Sequence, residues 1–323
     1  MNNTSWLYAV SLDGTGKGAG LNLDEANNFS KEDGLLWVHL NYNSEESHRW
    51  LAEKSGLDSV VIESLTEQET RPRWYSKNNG LLVILRGVNL NPDSNPEDMV
   101  SIRLWIEPLK IISVRHRNLL AVEDIKNALQ QGNGPENAGE FLTDLINNLS
   151  VRMAKVIEEL DNFVDNLEDN SIIHGRYDLR KEIANVRRKV IALKRYLYPQ
   201  RDVLLSLQSA KVDWLDELAR SRIRESSDRI TRFIENLDEI RDRTTVVKEQ
   251  TETRLAEQMN KAMYIISIIT AIFLPLGFIT GLLGINVGGI PGAESHAGFV
   301  NVCTMLLVLA AIQIIIFKKI RWL

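Results

Sequence analysis

Residues 263–283, MYIISIITAIFLPLGFITGLL, decide the fold of this chain because 21 consecutive positions carry no charged side chain. A second uncharged stretch, FVNVCTMLLVLAAIQIIIF, occupies residues 299–317. At about 1.5 Å per residue, a helix of either length spans the roughly 30 Å of hydrocarbon in a bilayer. Two such stretches so close together predict two transmembrane helices rather than core helices of a soluble protein.

The charges around these spans predict their orientation. Lys318, Lys319 and Arg321 lie in the tail 318–323 directly after the second span, whereas the joining loop 284–298 contains no Lys or Arg. Lys and Arg accumulate on the cytoplasmic side of a membrane. The N-terminus has no pattern of a cleaved signal peptide. We therefore expect a bacterial inner (plasma) membrane protein with both termini in the cytoplasm and a periplasmic loop.

The composition excludes several classes of protein. The net charge is -5, and only five charged residues lie beyond residue 260, so the acidic excess belongs to the preceding part of the chain. An acidic surface argues against nucleic acid as a partner. Cys303 is the only cysteine and lies within the second span. This excludes a disulfide framework and a thiolate zinc cluster.

Residues 1–140 predict a cytoplasmic α/β domain with a mixed sheet. Helical spacing follows the candidate N-caps Ser44 and Asp58, over residues 44–54 and 58–67. The Gly- and Asn-rich segment 131–139 closes the domain. The predicted strands are the β-rich runs 6–12, 35–41, 81–88, 101–106 and 110–115.

Residues 141–262 predict long helices. An apolar stripe runs through 141–170, a basic helix follows over 177–197, and Pro199 is expected to interrupt it. From Asp216 no helix-breaking residue occurs before Pro275. The polar segment 248–261 is either a solvated juxtamembrane helix or the lining of a water-filled vestibule. The fold class is thus an α+β membrane protein: an α/β domain, a long α-helical stalk and two C-terminal spans.

The first span carries polar residues that suggest a pore. Two spans per chain enclose no channel, so a conducting chain must assemble as a ring of copies. The polar side chains fall at intervals of three, four or seven, which would place several on one helix face, but Ser and Thr hydroxyls also bond to their own helix. Pro275 frees a backbone carbonyl, as helices lining water or packed on neighbours tolerate. These polar residues are Asn260, Ser267, Thr270, Thr280 and Asn286.

Residues 273–286, FLPLGFITGLLGIN, resemble the signature of the CorA-type metal ion transporters. The continuation VGGIPG, residues 287–292, looks like the ZntB-like zinc transporter branch of that family. The resemblance covers the whole plan of the chain. It implies a homopentamer with a cytoplasmic funnel, in which five copies of the first span line one central pore.

The resemblance also implies roles for individual residues. Asn286 would ring the outer mouth of the pore and meet hydrated ions, with Gly284 and Ile285 shaping the turn. Leu274 and Met263 would form hydrophobic constrictions that gate by dewetting. The expected pore-lining residues are Asn260, Met263, Ser267, Thr270, Leu274, Gly277 and Gly281.

This sequence departs from the magnesium branch at three positions. Ile285 replaces Met, Leu283 replaces Tyr, and Gly277 stands where a pore Thr is usual. These departures favour zinc as the transported ion. Zinc sites in proteins use three or four closely spaced Cys, His or carboxylate ligands, and the five histidines are scattered. We therefore expect neither a direct zinc-ligand site nor a bound cofactor.

Glu294 and His296 are the only ionisable side chains in the outer loop. Repeated around a ring they would gather cations and change charge with pH, or they are simply solvated loop residues. No nucleophile and base occur in a catalytic pattern, and the loop 13–20, DGTGKGAG, lacks the P-loop spacing. The chain is therefore not expected to be an enzyme.

The leading hypothesis is a homopentameric zinc transporter in a lipid membrane, gated by its cytoplasmic domain, with proton coupling and the direction of transport left open. A magnesium or broad divalent cation channel is the alternative within the same class. A membrane-anchored sensor or scaffold is the alternative from another class.

Overall fold

A computed structural model shows two compact units, Met1–Lys248 and Glu249–Leu323. The structure describes residues 7–68, 70–173, 178–285, 287, 290, 292 and 295–319. The N-terminal unit is built on one seven-stranded sheet with strand order β2-β1-β3-β7-β6-β5-β4. Its strands are β1 Leu7–Leu12, β2 Gly18–Leu21, β3 Leu35–Asn41, β4 Arg73–Lys77, β5 Gly80–Gly87, β6 Val100–Glu107 and β7 Lys110–Arg115.

The sheet is mixed, as the sequence predicts. Strands β3 and β7 pair in parallel, whereas the other neighbours pair antiparallel. The central strands are rich in Leu, Ile and Val and are buried on both faces. Strands that are covered on both faces consist mostly of consecutive apolar residues. The apolar runs make the central strands predictable from the sequence.

The sheet edges differ from the prediction. Strand β2, with the sequence GAGL, and strand β4, with the polar sequence RWYSK, are not predicted, because neither has an apolar run or clear alternation. Strand β4 joins β5 through Asn78 and Asn79, both with positive φ, a conformation that Asn tolerates in tight hairpin turns. The loop 13–17 is the turn of a β1–β2 hairpin.

Helices cover the two faces of the sheet. One face packs on α4 and α5, and the other packs on α2 and α3. Asp58 caps α3 by accepting a hydrogen bond from the backbone N–H of Val60, whereas the hydroxyl of Ser44, at the N-cap of α2, bonds to Glu46 instead. The helices are α1 Leu23–Asn27, α2 Glu45–Glu53, α3 Ser59–Thr66, α4 Leu120–Gln131, α5 Ala138–Ile173, α6 Asp178–Leu207, α7 Glu217–Leu283 and α8 Gly298–Lys319, and a 3₁₀ turn spans Lys31–Asp33.

The expected break at Pro199 is wrong, because α6 runs through this residue. Proline inside a helix costs about 3 kcal/mol. Leu197 and Val203, on either side, are buried in the core. Gln200 accepts a hydrogen bond of 2.7 Å from the backbone N–H of Arg86 in β5. Packing and this hydrogen bond hold the helix together across the proline.

Helix α7 packs against α5 through both apolar and charged residues. Ile223, Ile230 and Leu237, which recur every seven residues, are buried. Arg243 donates hydrogen bonds to Asp161 at 2.7 Å and to Glu168 at 2.9 Å, and it also bonds to Asp165. Its bonds to Glu168 and Asp165 raise the pKa of Arg243.

The C-terminal unit contains the end of α7 and all of α8. Both helices have a window of 18 residues that is long and apolar enough to cross a membrane, and neither window is buried within the chain. Helix α7 ends at Leu283, where the first span is predicted to end, and α8 begins at Gly298, one residue before the second. Large apolar side chains such as Phe278 and Leu307 are exposed.

Candidate metal translocation site

The seven residues expected to line a pore form one stripe along α7. They are Asn260, Met263, Ser267, Thr270, Leu274, Gly277 and Gly281, separated alternately by three and four positions. Residues with this spacing share a helix face because the α-helix has 3.6 residues per turn. All seven are exposed in the single chain. The structure therefore brings these residues together on one open face.

The hydroxyl groups on α7 behave differently from one another. Ser267 donates a hydrogen bond of 2.8 Å to the carbonyl of Met263, and Thr280 bonds to the carbonyls of Leu276 and Gly277. Both therefore bond to their own helix. The hydroxyl of Thr270 makes no hydrogen bond with another described residue. Thr270 is thus the hydroxyl of the stripe that is free to bond outside the chain.

The glycines of the stripe are not required by packing within one chain. A Cβ atom added to Gly277 or Gly281 would meet no atom within 4 Å. Glycine inside a helix costs about 1 kcal/mol relative to alanine. Small residues on a membrane helix let a neighbouring backbone or a hydrated ion approach closely. The glycines are consistent with a face that meets other groups outside the single chain.

The C-terminal end of α7 carries the start of the glycine motif. The backbone N–H of Gly284 donates to the carbonyls of Thr280 at 2.9 Å and Gly281 at 3.1 Å, which closes the last turn of the helix. Ile285 is exposed, and its carbonyl accepts a hydrogen bond from the N–H of Val287. Asn286 lies outside the described residues. Its predicted role at the pore mouth stays a prediction.

The loop 284–298, which joins α7 to α8, is described only in part. His296 is exposed and lies in a turn just before α8. Glu294 lies outside the described residues, so the predicted pair of cation-gathering side chains stays a prediction. Among the described residues, no three His, Cys, Asp or Glu side chains lie close enough together to hold a metal ion. The exposed stripe offers amide, hydroxyl and backbone oxygen atoms instead.

The spacing of three and four also continues toward the N-terminal end of the second unit. Ala256, Thr253 and Glu249 extend the stripe below Asn260, and all three are exposed. The sequence reasoning did not single them out, although the same periodicity would have identified them. Glu249 adds a carboxylate to a face that is otherwise neutral. A repeated carboxylate on such a face attracts cations.

Comparison with known proteins gives a consistent result over nearly the whole chain. The family described as "CorA-like Mg2+ transporter protein" matches residues 32–319. The zinc transport protein ZntB of Yersinia enterocolitica is 34% identical over 98% of this chain and 96% of its own length. The divalent cation transporter CmaX of Pseudomonas aeruginosa is 38% identical over the same shares. The solved structure of full-length CmaX superposes with a TM-score of 0.84, at 36% identity, covering 98% of both chains.

Proposed function

The chain belongs to the CorA family of divalent cation transporters, which are not enzymes, and from that premise we propose that it moves zinc across the bacterial inner membrane. The stripe on α7 carries the proposal, because it supplies an exposed polar and glycine-containing face along an otherwise apolar span. The relatedness to proteins named for zinc transport supports zinc as the ion.

We propose a homopentamer in which the α7 stripes face a common axis. The apolar surface of both spans is unburied in one chain. Burial of apolar surface against lipid and neighbouring copies stabilises such helices, and close packing between copies adds to this. Five copies would place five Thr270 hydroxyls and five Asn260 amides around the same channel. Residues 318–323 would lie in the cytoplasm, by the positive-inside rule.

Ions would cross in this pore with most of their water retained. Asn286 would meet the water shell at the outer mouth, because an amide both donates and accepts hydrogen bonds to water. No group of three or more ligands for a dehydrated zinc ion occurs among the described residues. Leu274 and Met263 would close the channel by excluding water between conducting events. Glu249 would concentrate cations at the cytoplasmic end.

The membrane potential favours import of a divalent cation. Moving two charges across a membrane is worth about 4.6 kcal/mol per 100 mV. The described membrane-spanning parts of α7 and α8 contain no Asp or Glu that could relay protons. We propose that residues 1–140 and 141–262 regulate the pore, whereas residues 263–283, 284–298 and 299–317 form it.

Purified protein in liposomes loaded with a zinc-sensitive dye tests the proposal. Wild-type protein should carry zinc inward, and Asn286→Ala should reduce the initial rate at least tenfold. Asn301→Ala is the matched control, because Asn301 is an exposed amide near the outer end of α8 and lies off the stripe. This control should transport like the wild type. A wild-type protein that carries no metal in this assay would contradict transport and favour a sensor or scaffold.

A broad divalent cation channel is the second candidate, because CmaX is described as a divalent cation transporter. The same liposomes with magnesium, cobalt, nickel and zinc, with and without a proton gradient, separate the two candidates. A preference for zinc of at least tenfold supports the first. Similar rates for all four ions support the second. The mass of the detergent-solubilised particle tests the pentamer.

A further inference from the structure

The N-terminal unit contains a cavity of about 670 Å³ whose lining includes four arginine side chains. The loop after α3, the end of β5, the start of β6, the segment after β7 and one face of α6 form its walls. Its volume lies within the roughly 300–1,000 Å³ of small-molecule sites. The arginines are Arg71, Arg86, Arg117 and Arg195, and His116 lies beside them. These positive charges lie on one concave surface, where a bound anion would balance them.

Two backbone carbonyls and an aromatic ring contact the side chain of Arg86. Its guanidinium donates to the carbonyl of Thr70 at 2.6 and 3.2 Å and to the carbonyl of Met99 at 2.7 Å. It also lies 4.4 Å from the ring centroid of Tyr196. Hydrogen bonds to carbonyls orient a guanidinium. These contacts fix the position of the Arg86 side chain in the cavity wall.

A second arginine lies directly behind the wall. Arg103 is completely buried, and its Nη2 atom donates to the carbonyls of Glu67 and of Gln68, which lines the cavity. Its Nε and Nη1 atoms have no hydrogen-bond partner among the described residues. Burial lowers the pKa of His116, and Arg103 and Arg117 lower it further. Arg103 thus places a buried guanidinium behind the wall, with two of its nitrogen atoms unpaired among the described residues.

Two of the cavity's cations are available for a ligand. Arg71 and Arg117 are exposed and make neither an ion pair nor a hydrogen bond with any other described residue. Glu97 and Asp98 are the carboxylates among the described lining residues. Glu69, next to this wall in the sequence, lies outside the described residues. The described lining therefore carries four guanidinium groups against two carboxylates.

We propose that this cavity binds a phosphorylated small molecule of nucleotide size. Guanidinium groups bind phosphate oxygens through two parallel hydrogen bonds, and this geometry makes arginine the preferred phosphate ligand. Arg71 and Arg117 contact the phosphate groups, while the buried guanidinium of Arg103 supplies positive potential behind them. The site is separate from the α7 stripe and does not depend on which metal is transported.

Isothermal titration calorimetry of the full-length protein in detergent with EDTA tests the site. The ligands are ATP, pyrophosphate and adenosine, and EDTA removes binding through a bridging metal. We expect binding of ATP and pyrophosphate and at least tenfold weaker binding of adenosine. The double variant Arg71→Ala/Arg117→Ala should weaken ATP binding at least tenfold. Arg187→Ala, at an exposed position on α6 two turns before Arg195, should stay within twofold of the wild type.

A second variant protects the test against misfolding. Glu97→Gln/Asp98→Asn removes the carboxylates of the wall and should tighten ATP binding several-fold. Circular dichroism and the elution volume of each variant report whether it is folded. The proposal is overturned if the wild type binds neither ATP nor pyrophosphate at 1 mM, or if adenosine binds as tightly as ATP. Unchanged ATP affinity in a folded Arg71→Ala/Arg117→Ala variant would also overturn it. All these outcomes are independent of metal flux.

Discussion

The two units of this chain differ in the solvent exposure of their apolar residues. In the N-terminal unit Trp37, Ile102 and Leu104 have no exposed surface. In the C-terminal unit Phe299 is 81% exposed and Leu307 is 72% exposed. Apolar area stabilises a fold only when it leaves water, by about 25 cal/mol per Å². The first unit thus completes its core within one chain, whereas the apolar surface of the second unit is not buried within one chain.

This contrast predicts where a lost methylene group matters most. Leu104→Ala, in the centre of β6, should lower the free energy of unfolding by about 2–5 kcal/mol, because it leaves a cavity in a closed core. Leu307→Ala removes the same atoms from α8 and should change the free energy of unfolding by less than about 0.5 kcal/mol. Guanidinium chloride unfolding in detergent, followed by tryptophan fluorescence, measures both. Equal effects would contradict the contrast.

The ion pairs between α5 and α7 allow a second comparison, between arginines of the first unit. Arg243→Met leaves Asp161, Asp165 and Glu168 close together without their shared cation. We expect a loss of about 1–2 kcal/mol, limited by solvent around the half-exposed Asp161 and Asp165. The same unfolding experiment measures it at low and high salt. Arg241→Met is the comparison, because the ion pairs of Arg241 among the described residues are with Asp238 and Asp242 on its own helix; it should destabilise the chain less than Arg243→Met.

The core of the first unit should also be sensitive to acid through His39. This side chain is buried, with Nδ1 2.8 Å from the hydroxyl of Ser113, and burial, with Lys126 and Arg115, lowers its pKa well below 6.5. The unfolded chain therefore takes up a proton below about pH 6.5 that the folded chain excludes. Stability present above this pH should fall by about 1.4 kcal/mol per pH unit as the pH decreases.

Unfolding of wild type and His39→Gln at pH 7.5, 6.5 and 5.5 tests this prediction. Carboxylates titrate in both proteins, so the difference in slope reports His39. The variant should lose less stability between pH 6.5 and 5.5 than the wild type. Parallel slopes would show that His39 does not contribute.

The smallest expected effect distinguishes two hydroxyls within the second unit. Thr270→Val removes a hydroxyl that has no hydrogen bond to another described residue, and it should reduce zinc flux about twofold, or about 0.4 kcal/mol. Ser267→Ala removes a hydroxyl already bonded to Met263 and should leave flux unchanged. Initial rates in the liposome assay, at matched protein density, measure both. A larger loss of zinc flux in Ser267→Ala than in Thr270→Val would contradict the assignment of the open face.

The sequence predicts the parts of the fold that have long runs of apolar or uncharged residues. The apolar runs of β3, β5, β6 and β7 and the uncharged spans follow from composition. Strands β2 and β4 are missed because edge strands tolerate glycine and polar residues. The break at Pro199 is mispredicted because tertiary packing overrides local helix propensity. Helix α4 carries a readable apolar spacing at Val122, Ile125 and Leu129 that the prediction passes over.

The two candidate sites differ in how well a sequence can reveal them. The α7 stripe lies within one helix, so a spacing of three and four is enough to find it. The arginine cavity joins residues from five separate segments, such as Arg71, Arg117 and Arg195. Only the sheet topology brings these segments together. No local pattern distinguishes its arginines from ordinary surface residues.

Pro275, inside α7, has a consequence for biogenesis. Because proline has no N–H, the carbonyl of Ala271 four residues earlier lacks its helical partner. An unsatisfied carbonyl in hydrocarbon costs several kcal/mol. We expect a newly inserted chain to bear this cost until water or another helix reaches the carbonyl of Ala271. Insertion and stabilisation of α7 would then be separate steps in the maturation of the protein.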